Sequence, residues 1–176
     1  MGAARIVDGT VGALYSTENS LQEAIVEWAR YRRVPPIGQL RDEPFRAGGF
    51  GLAQIKEEGT THKEFWTLHD FMFAVPNGVQ IAGNPGRRAR YMNAMKNRGL
   101  KPGVSDLIIA YPVAPLHGMY LELKLQEKSK VSDPQIAWKH LMSAVGYYAV
   151  IATGFNDAVW HVENYLRGSY EAHPPG

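Results

Sequence analysis

Asp106, Glu122 and Lys124 are the residues whose types and spacing point to chemistry. They lie in two apolar runs of strand length, Asp106-Leu-Ile-Ile-Ala-Tyr and Met119-Tyr-Leu-Glu122-Leu-Lys124-Leu, separated by a Pro- and Gly-containing gap. Strand side chains alternate between faces, so Tyr120, Glu122 and Lys124 share one face while Leu121, Leu123 and Leu125 share the other. The leucines need a core, which leaves Glu122 and Lys124 side by side on the opposite face. If Asp106 opens the neighbouring strand, its carboxylate comes close to that of Glu122. Two hard oxygen ligands beside an ammonium suit Mg²⁺ and a phosphodiester. Taken alone, Glu-x-Lys is a weak pattern, because most copies are ion pairs on a solvated sheet.

The surroundings shift that balance. Net charge is only +2, yet no acidic residue stands between Asp70 and Asp106, an interval holding Arg87, Arg88, Arg90, Lys96, Arg98 and Lys101. Such a run is ordinarily a solvated helix face. Here it leads straight into the acidic pair, which favours a phosphate-tracking surface feeding a metal site.

The 176 residues, 45% hydrophobic and 11% aromatic, predict one globular domain with an ordinary core. No apolar run reaches the length of a membrane span, and the first residues lack the apolar region of a secretion signal. Cysteine is absent, so disulfides, thiolate zinc sites and cysteine nucleophiles are excluded together. A cytoplasmic setting is the expectation. His62, His69, His117, His140, His161 and His173 show no zinc-like spacing and read as ordinary surface or core residues.

The elements that must position the site follow from periodicity. Residues 17–33 predict a helix with an apolar stripe of Leu21, Ala24, Ile25 and Trp28, ended by Pro35-Pro36. Residues 37–64 are Gly-rich and mixed in charge, an insertion with no assigned structure. Residues 65–75 predict a strand at their end, closed by a turn at 76–78. A helix over 87–98 has Gly99 as its C-cap. Strands are expected near 106–111 and 118–125. Ser132-Asp-Pro-Gln135 opens a helix running to Ala144 with Gly146 as its stop, and the pair Ser132 and Gln135 has the form of a capping box. A strand over 147–152 and a helix over 156–166 complete the pattern. Strands followed by helices after a leading helix predict an α/β fold, a mixed sheet flanked by helices.

This order of features resembles the VRR-NUC nucleases, a branch of the PD-(D/E)XK superfamily, especially the small stand-alone phage-encoded kind. The resemblance is carried by Glu18-Asn-Ser-Leu-Gln22 followed by Trp28, by the Arg-rich helix leading to Gly99-Leu-Lys-Pro-Gly103-Val-Ser-Asp106, by Met119-Tyr-Leu-Glu122-Leu-Lys124, and by Lys130-Val-Ser-Asp-Pro-Gln135. It covers most of the chain outside the insertion and implies a restriction-endonuclease-like fold. Two departures are Ser105, where the family usually has proline, and Leu-Gln-Glu-Lys-Ser-Lys after Lys124 in place of a Gly-rich basic turn.

By this resemblance Glu18, Asp106 and Glu122, with the Leu123 carbonyl, coordinate Mg²⁺ or Mn²⁺. Lys124 orients the attacking water, and a glutamine at Gln135 faces the site. Glu23 is the rival to Glu18, whose other reading is a first-turn acid favoured by the helix dipole. The implied activity is metal-dependent endonucleolytic hydrolysis of DNA, preferring branched forms such as four-way junctions, in the cytoplasm of a bacterial or phage-infected cell. Two alternatives are a catalytically silent nucleic-acid-binding module and a sequence-specific restriction-type nuclease. Symmetric cutting of a junction needs two sites related by a two-fold axis, hence a homodimer. Phe65, Trp66, Phe71 and Phe73 are either its apolar patch or part of a buried core strand.

Overall fold

The computed structural model describes residues 15–34, 66–75 and 84–169. The insertion at 37–64, Pro35-Pro36, the turn at 76–78, and Phe65, His62 and His173 lie outside them.

Helix α1 spans Glu18–Ala29 and starts at a reciprocal cap. Thr17 Oγ1 accepts from the Ser20 N–H (3.1 Å) and Ser20 Oγ from the Thr17 N–H (3.2 Å). Leu21, Ile25 and Ala29 form its buried stripe, with Trp28 packed partly against the core. The helix stops at Ala29, not at 33. Residues 32–34 instead run antiparallel to 66–68: the Leu68 N–H donates to the Arg32 carbonyl (2.7 Å) and the Val34 N–H to that of Trp66 (3.1 Å). Val34 precedes a proline, which disfavours helical backbone there, and these bonds satisfy the extended alternative. The insertion therefore leaves and rejoins the fold at neighbouring points, so its length costs the core little.

A 3₁₀ turn over Leu68–Phe71 leads into β1, Met72–Ala74. Helix α2, Pro85–Asn97, is capped by the Asn84 side chain on the Arg87 N–H (3.0 Å) and buries none of its residues. Gly99 follows it at φ 101°, the left-handed conformation expected of a C-cap glycine. Strands β2, Leu107–Ile109, and β3, Met119–Lys124, precede α3, Asp133–Ala144. Strand β4, Tyr148–Thr153, and α4, Gly154–Leu166, close the fold.

The four strands lie in the order β1-β2-β3-β4, antiparallel up to β3, with β4 parallel to β3 across the α3 crossover. This is the α/β arrangement of a mixed sheet flanked by helices. Its core joins Leu21 and Ile25 of α1, Leu107, Ile109, Met119, Leu121 and Leu123 of the sheet, and Ala158, Val162 and Tyr165 of α4. Arg32 ties the end of α1 to α4 through a two-pronged contact with Glu163, Nη2 to Oε2 at 2.8 Å. Trp66 and Phe71 pack against this core, Phe71 edge-on to Tyr111, whereas Phe73 on the edge strand β1 is 52% exposed. The aromatic group expected to act together is thus divided between core and surface.

Candidate active site

Strand β2 pairs with β3 in the register Leu107↔Leu121, Ile108↔Tyr120, Ile109↔Met119. Continued by one residue, that register sets Asp106 across from Glu122, with both side chains on one face. The expected strand over 106–111 is shorter than its apolar run, and Asp106 sits just before it. There its Oδ2 accepts from the Leu123 N–H at 2.9 Å. The N–H and carbonyl of one antiparallel residue face the same neighbour, so the Leu123 carbonyl also turns towards Asp106.

Glu122 and Lys124 are 3% and 6% exposed. They are not the solvated ion pair that the bare pattern suggests, because α3 closes over their face of the sheet. Lys124 Nζ donates to Glu122 Oε1 at 2.8 Å and lies 3.6 Å from Glu18 Oε1. Gln135 Nε2 donates to the same Glu122 oxygen. At its other end, Gln135 Oε1 accepts from the Ser132 N–H (2.8 Å) and hydroxyl (2.9 Å). One amide therefore caps α3 and holds Glu122, combining the two roles read from the sequence. Glu122 Oε2 is buried with no hydrogen-bond partner among the described residues.

The loop before Asp106 is held against α3 by Gly103, a positioning residue that its place in the motif signals. Its φ is 83°, and a Cβ there would stand 2.3 Å from the Pro134 carbonyl carbon and oxygen and 2.8 Å from the Gln135 nitrogen. Only glycine permits both the backbone angle and the approach.

Burial is the largest influence on Glu122, followed by the opposing pull of Lys124 and the repulsion of Asp106 and Glu18. Together they push its carboxyl up to about 7. Burial acts to lower Lys124, but the hydrogen bond and charge of Glu122, with Glu18 and Asp106 behind it, outweigh this and hold the ammonium above its ordinary value. The site thus carries more negative charge than one lysine relieves.

Glu18 is half exposed and directed at Lys124, whereas Glu23 is exposed beside Val26, Glu27 and Arg30. The geometry separates the two helix acids. As the side chains stand, no three acidic or histidine groups among the described residues converge tightly enough to enclose a metal ion. Glu18 is drawn to Lys124, leaving Asp106 and Glu122 as the inner pair. His69, His117 and His140 lie away from this cluster, and His161 is buried against the Tyr148 hydroxyl at 2.9 Å.

A cavity of about 400 Å³ opens over the pair, with Asp106, Glu122 and Gln135 at its base. Lys96 and Lys101 line it, whereas Arg87, Arg88, Arg90 and Arg98 are exposed outside it. No carboxylate among the described residues pairs with any of the six cations. Arg87 and Arg88 also stand in the first turn of α2, where the helix dipole opposes positive charge.

The chain superposes on a solved VRR_NUC domain protein with a TM-score of 0.56, over 86% of this chain and 88% of that one, at 19% identity. The fold is that of a VRR_NUC domain. No protein-family model and no curated protein matches the sequence. At this identity the likeness extends to the fold alone. Among the described residues no helix is long and apolar enough to cross a membrane.

Proposed function

We propose that this protein is a nuclease that hydrolyses DNA phosphodiester bonds with Mg²⁺ or Mn²⁺ as cofactor. The observation that carries the reading is Glu122 Oε2, a buried carboxylate oxygen without a partner, beside Asp106 and a buried lysine. An anionic oxygen in that state is costly unless something cationic completes it. The donor set fits a hard divalent ion: Glu122 Oε2, the Asp106 oxygen not engaged by Leu123, and the Leu123 carbonyl, with the remaining positions left to water and phosphate. Glu18 joins if its carboxylate swings from Lys124.

When bound, the ion polarises water and phosphoryl oxygen. The chain's own groups do the rest. Gln135 fixes the rotamer of Glu122 from the cap of α3. Lys124, held between Glu122 and Glu18, orients a water and offsets charge developing on the phosphate. The cations of α2, without acid partners among the described residues, carry the backbone of the DNA towards the cavity.

A preference for branched DNA, above all four-way junctions, and a homodimer that supplies two sites complete the proposal. Phe73, exposed on the edge strand β1, is where a second copy finds apolar surface. Cleavage of flaps, forks, four-way junctions and plain duplexes with Mg²⁺, Mn²⁺ or EDTA, alongside light scattering over a dilution series, tests each part. Metal-dependent cutting fastest on junctions by a dimer is the expected result. DNA binding without cleavage in either metal would replace it with the silent binding module.

A further inference from the structure

The cavity over Asp106 and Glu122 has two unlike walls. Helix α1 contributes Asn19 and Gln22, amides three residues apart on one helix face. Opposite them, α2 contributes Tyr91, Met92 and Met95. Because α2 buries none of its residues, this apolar face is not consumed by the core, and Tyr91 remains 43% exposed. At about 400 Å³ the space falls within the range of ligand clefts, roughly 300–1,000 Å³, rather than that of a hydrated ion.

We propose that this cavity takes the base of one unpaired nucleotide next to the phosphate held over Asp106 and Glu122. Its ring stacks on Tyr91 and packs against Met92 and Met95, while Asn19 and Gln22 meet its hydrogen-bonding edge. Each feature matches one part of a nucleotide. A sequence-tolerant stacking platform requires an aromatic ring with its face open to solvent. Amides on the facing wall can donate to or accept from any base edge. Lys96 and Lys101, which also line the cavity, supply charge for the flanking phosphates. A base inside an intact duplex has both faces covered and cannot reach Tyr91, so the site selects DNA by strand opening rather than by sequence. The inference rests on the nuclease reading for the position of the phosphate, but its test does not require cleavage.

The probe is a pair of DNA duplexes, one fully paired and one with a single bulged 2-aminopurine, titrated with the protein in EDTA. The bulged duplex should bind about tenfold more tightly, with a change in 2-aminopurine fluorescence on binding. Tyr91→Ala should bring the two affinities within about twofold, and Tyr91→Phe, which keeps the ring, should restore the preference. Met95→Trp, which fills the cavity, should abolish the fluorescence change. Equal affinities in the wild-type protein, or a preference that Tyr91→Ala leaves intact, would overturn the proposal. So would free dAMP bound as tightly as the bulged duplex, since the site would then serve a small nucleotide. A protein that shows the Tyr91-dependent preference yet cuts no DNA in Mg²⁺ or Mn²⁺ retires the nuclease reading and keeps the base pocket. One that cuts DNA with no role for Tyr91 does the reverse.

Discussion

On one face of β3, Met119, Leu121 and Leu123 are fully buried in the core shared with α1 and α4. On the other face of the same strand, Glu122 and Lys124 are nearly as deeply buried, under Gln135 and the start of α3. The burial is alike and the energetics are opposite. Each leucine taken from water contributes about 1.5–3 kcal/mol to folding. The ion pair loses hydration that its mutual attraction repays only with good geometry and complete hydrogen bonding, and Glu122 Oε2 lacks the latter. A sheet selected for stability alone would carry apolar residues on both faces. The contrast is the physical ground for the proposed division of labour, in which the second face serves chemistry at the expense of stability.

Substitution of the acids should separate the two faces most. Asp106→Asn keeps an acceptor for the Leu123 N–H but removes ligand charge, and should lower the cleavage rate by on the order of 10³-fold or more. DNA binding, measured by fluorescence anisotropy, should largely survive. Leu121→Ala on the apolar face should act the other way. It should destabilise the fold by about 2–5 kcal/mol in urea unfolding while the folded fraction retains its cleavage rate. If Asp106→Asn cuts at the wild-type rate, the two faces do not divide the labour in this way.

Lys124→Ala sharpens the contrast within the polar face. Loss of one preorganised cation over a developing phosphate charge should slow single-turnover cleavage by about 10²–10³-fold. A Lys124→Ala enzyme of normal speed would make the lysine a structural partner of Glu122 and nothing more.

The apolar face was legible in the sequence because alternation and helical stripes report burial directly: Leu121, Leu123, Leu21 and Ile25 all occupy the core they predict. The order of elements and the shared face of Glu122 and Lys124 were legible for the same reason. The depth of that second face was not, since no local pattern shows that Gln135, thirteen residues on, will seal it. The early end of α1 was hidden too, because pairing between residues 32–34 and 66–68 is a long-range event that outweighs helix propensity. Gly103 could be read as a turn glycine, but its contact with Pro134 belongs to the folded state alone.

A smaller effect separates the faces by pH. Burial, with Asp106 and Glu18, raises Glu122 from an ordinary 4.5 to about 7. Between those values the folded chain holds a proton that the unfolded chain releases. That stability is fully present below the unfolded value and is lost as pH rises through about 7. In EDTA, wild-type unfolding free energy should therefore fall by up to about 3 kcal/mol between pH 4.5 and 8 relative to Glu122→Gln. If the pair takes the proposed metal, added Mn²⁺ at pH 8 should recover part of the loss by binding the ionised carboxylates of the folded state. Parallel pH profiles of the two proteins would show that the carboxylate is not under strain.

The smallest effect extends the comparison to α1 and α2. Helix α1 is fixed by its cap and by Leu21, Ile25 and Ala29, whereas α2 has a cap, no buried residue and cations in its first turn. The dipole favours Lys96 in the last turn but opposes Arg87 and Arg88 in the first. These arginines find no acid partner among the described residues, so they are available to phosphate. Removing one cation from a phosphate lowers the slope of log affinity against log salt by about 0.9 for duplex DNA. The triple replacement Arg87→Glu, Arg88→Glu and Arg90→Glu should flatten that slope by about 2 to 3 and weaken binding alike for every sequence. Thermal unfolding should move little, since these side chains touch no core. A variant with the full wild-type salt slope would place the path of the DNA backbone elsewhere on the molecule and reduce α2 to the wall of the cavity.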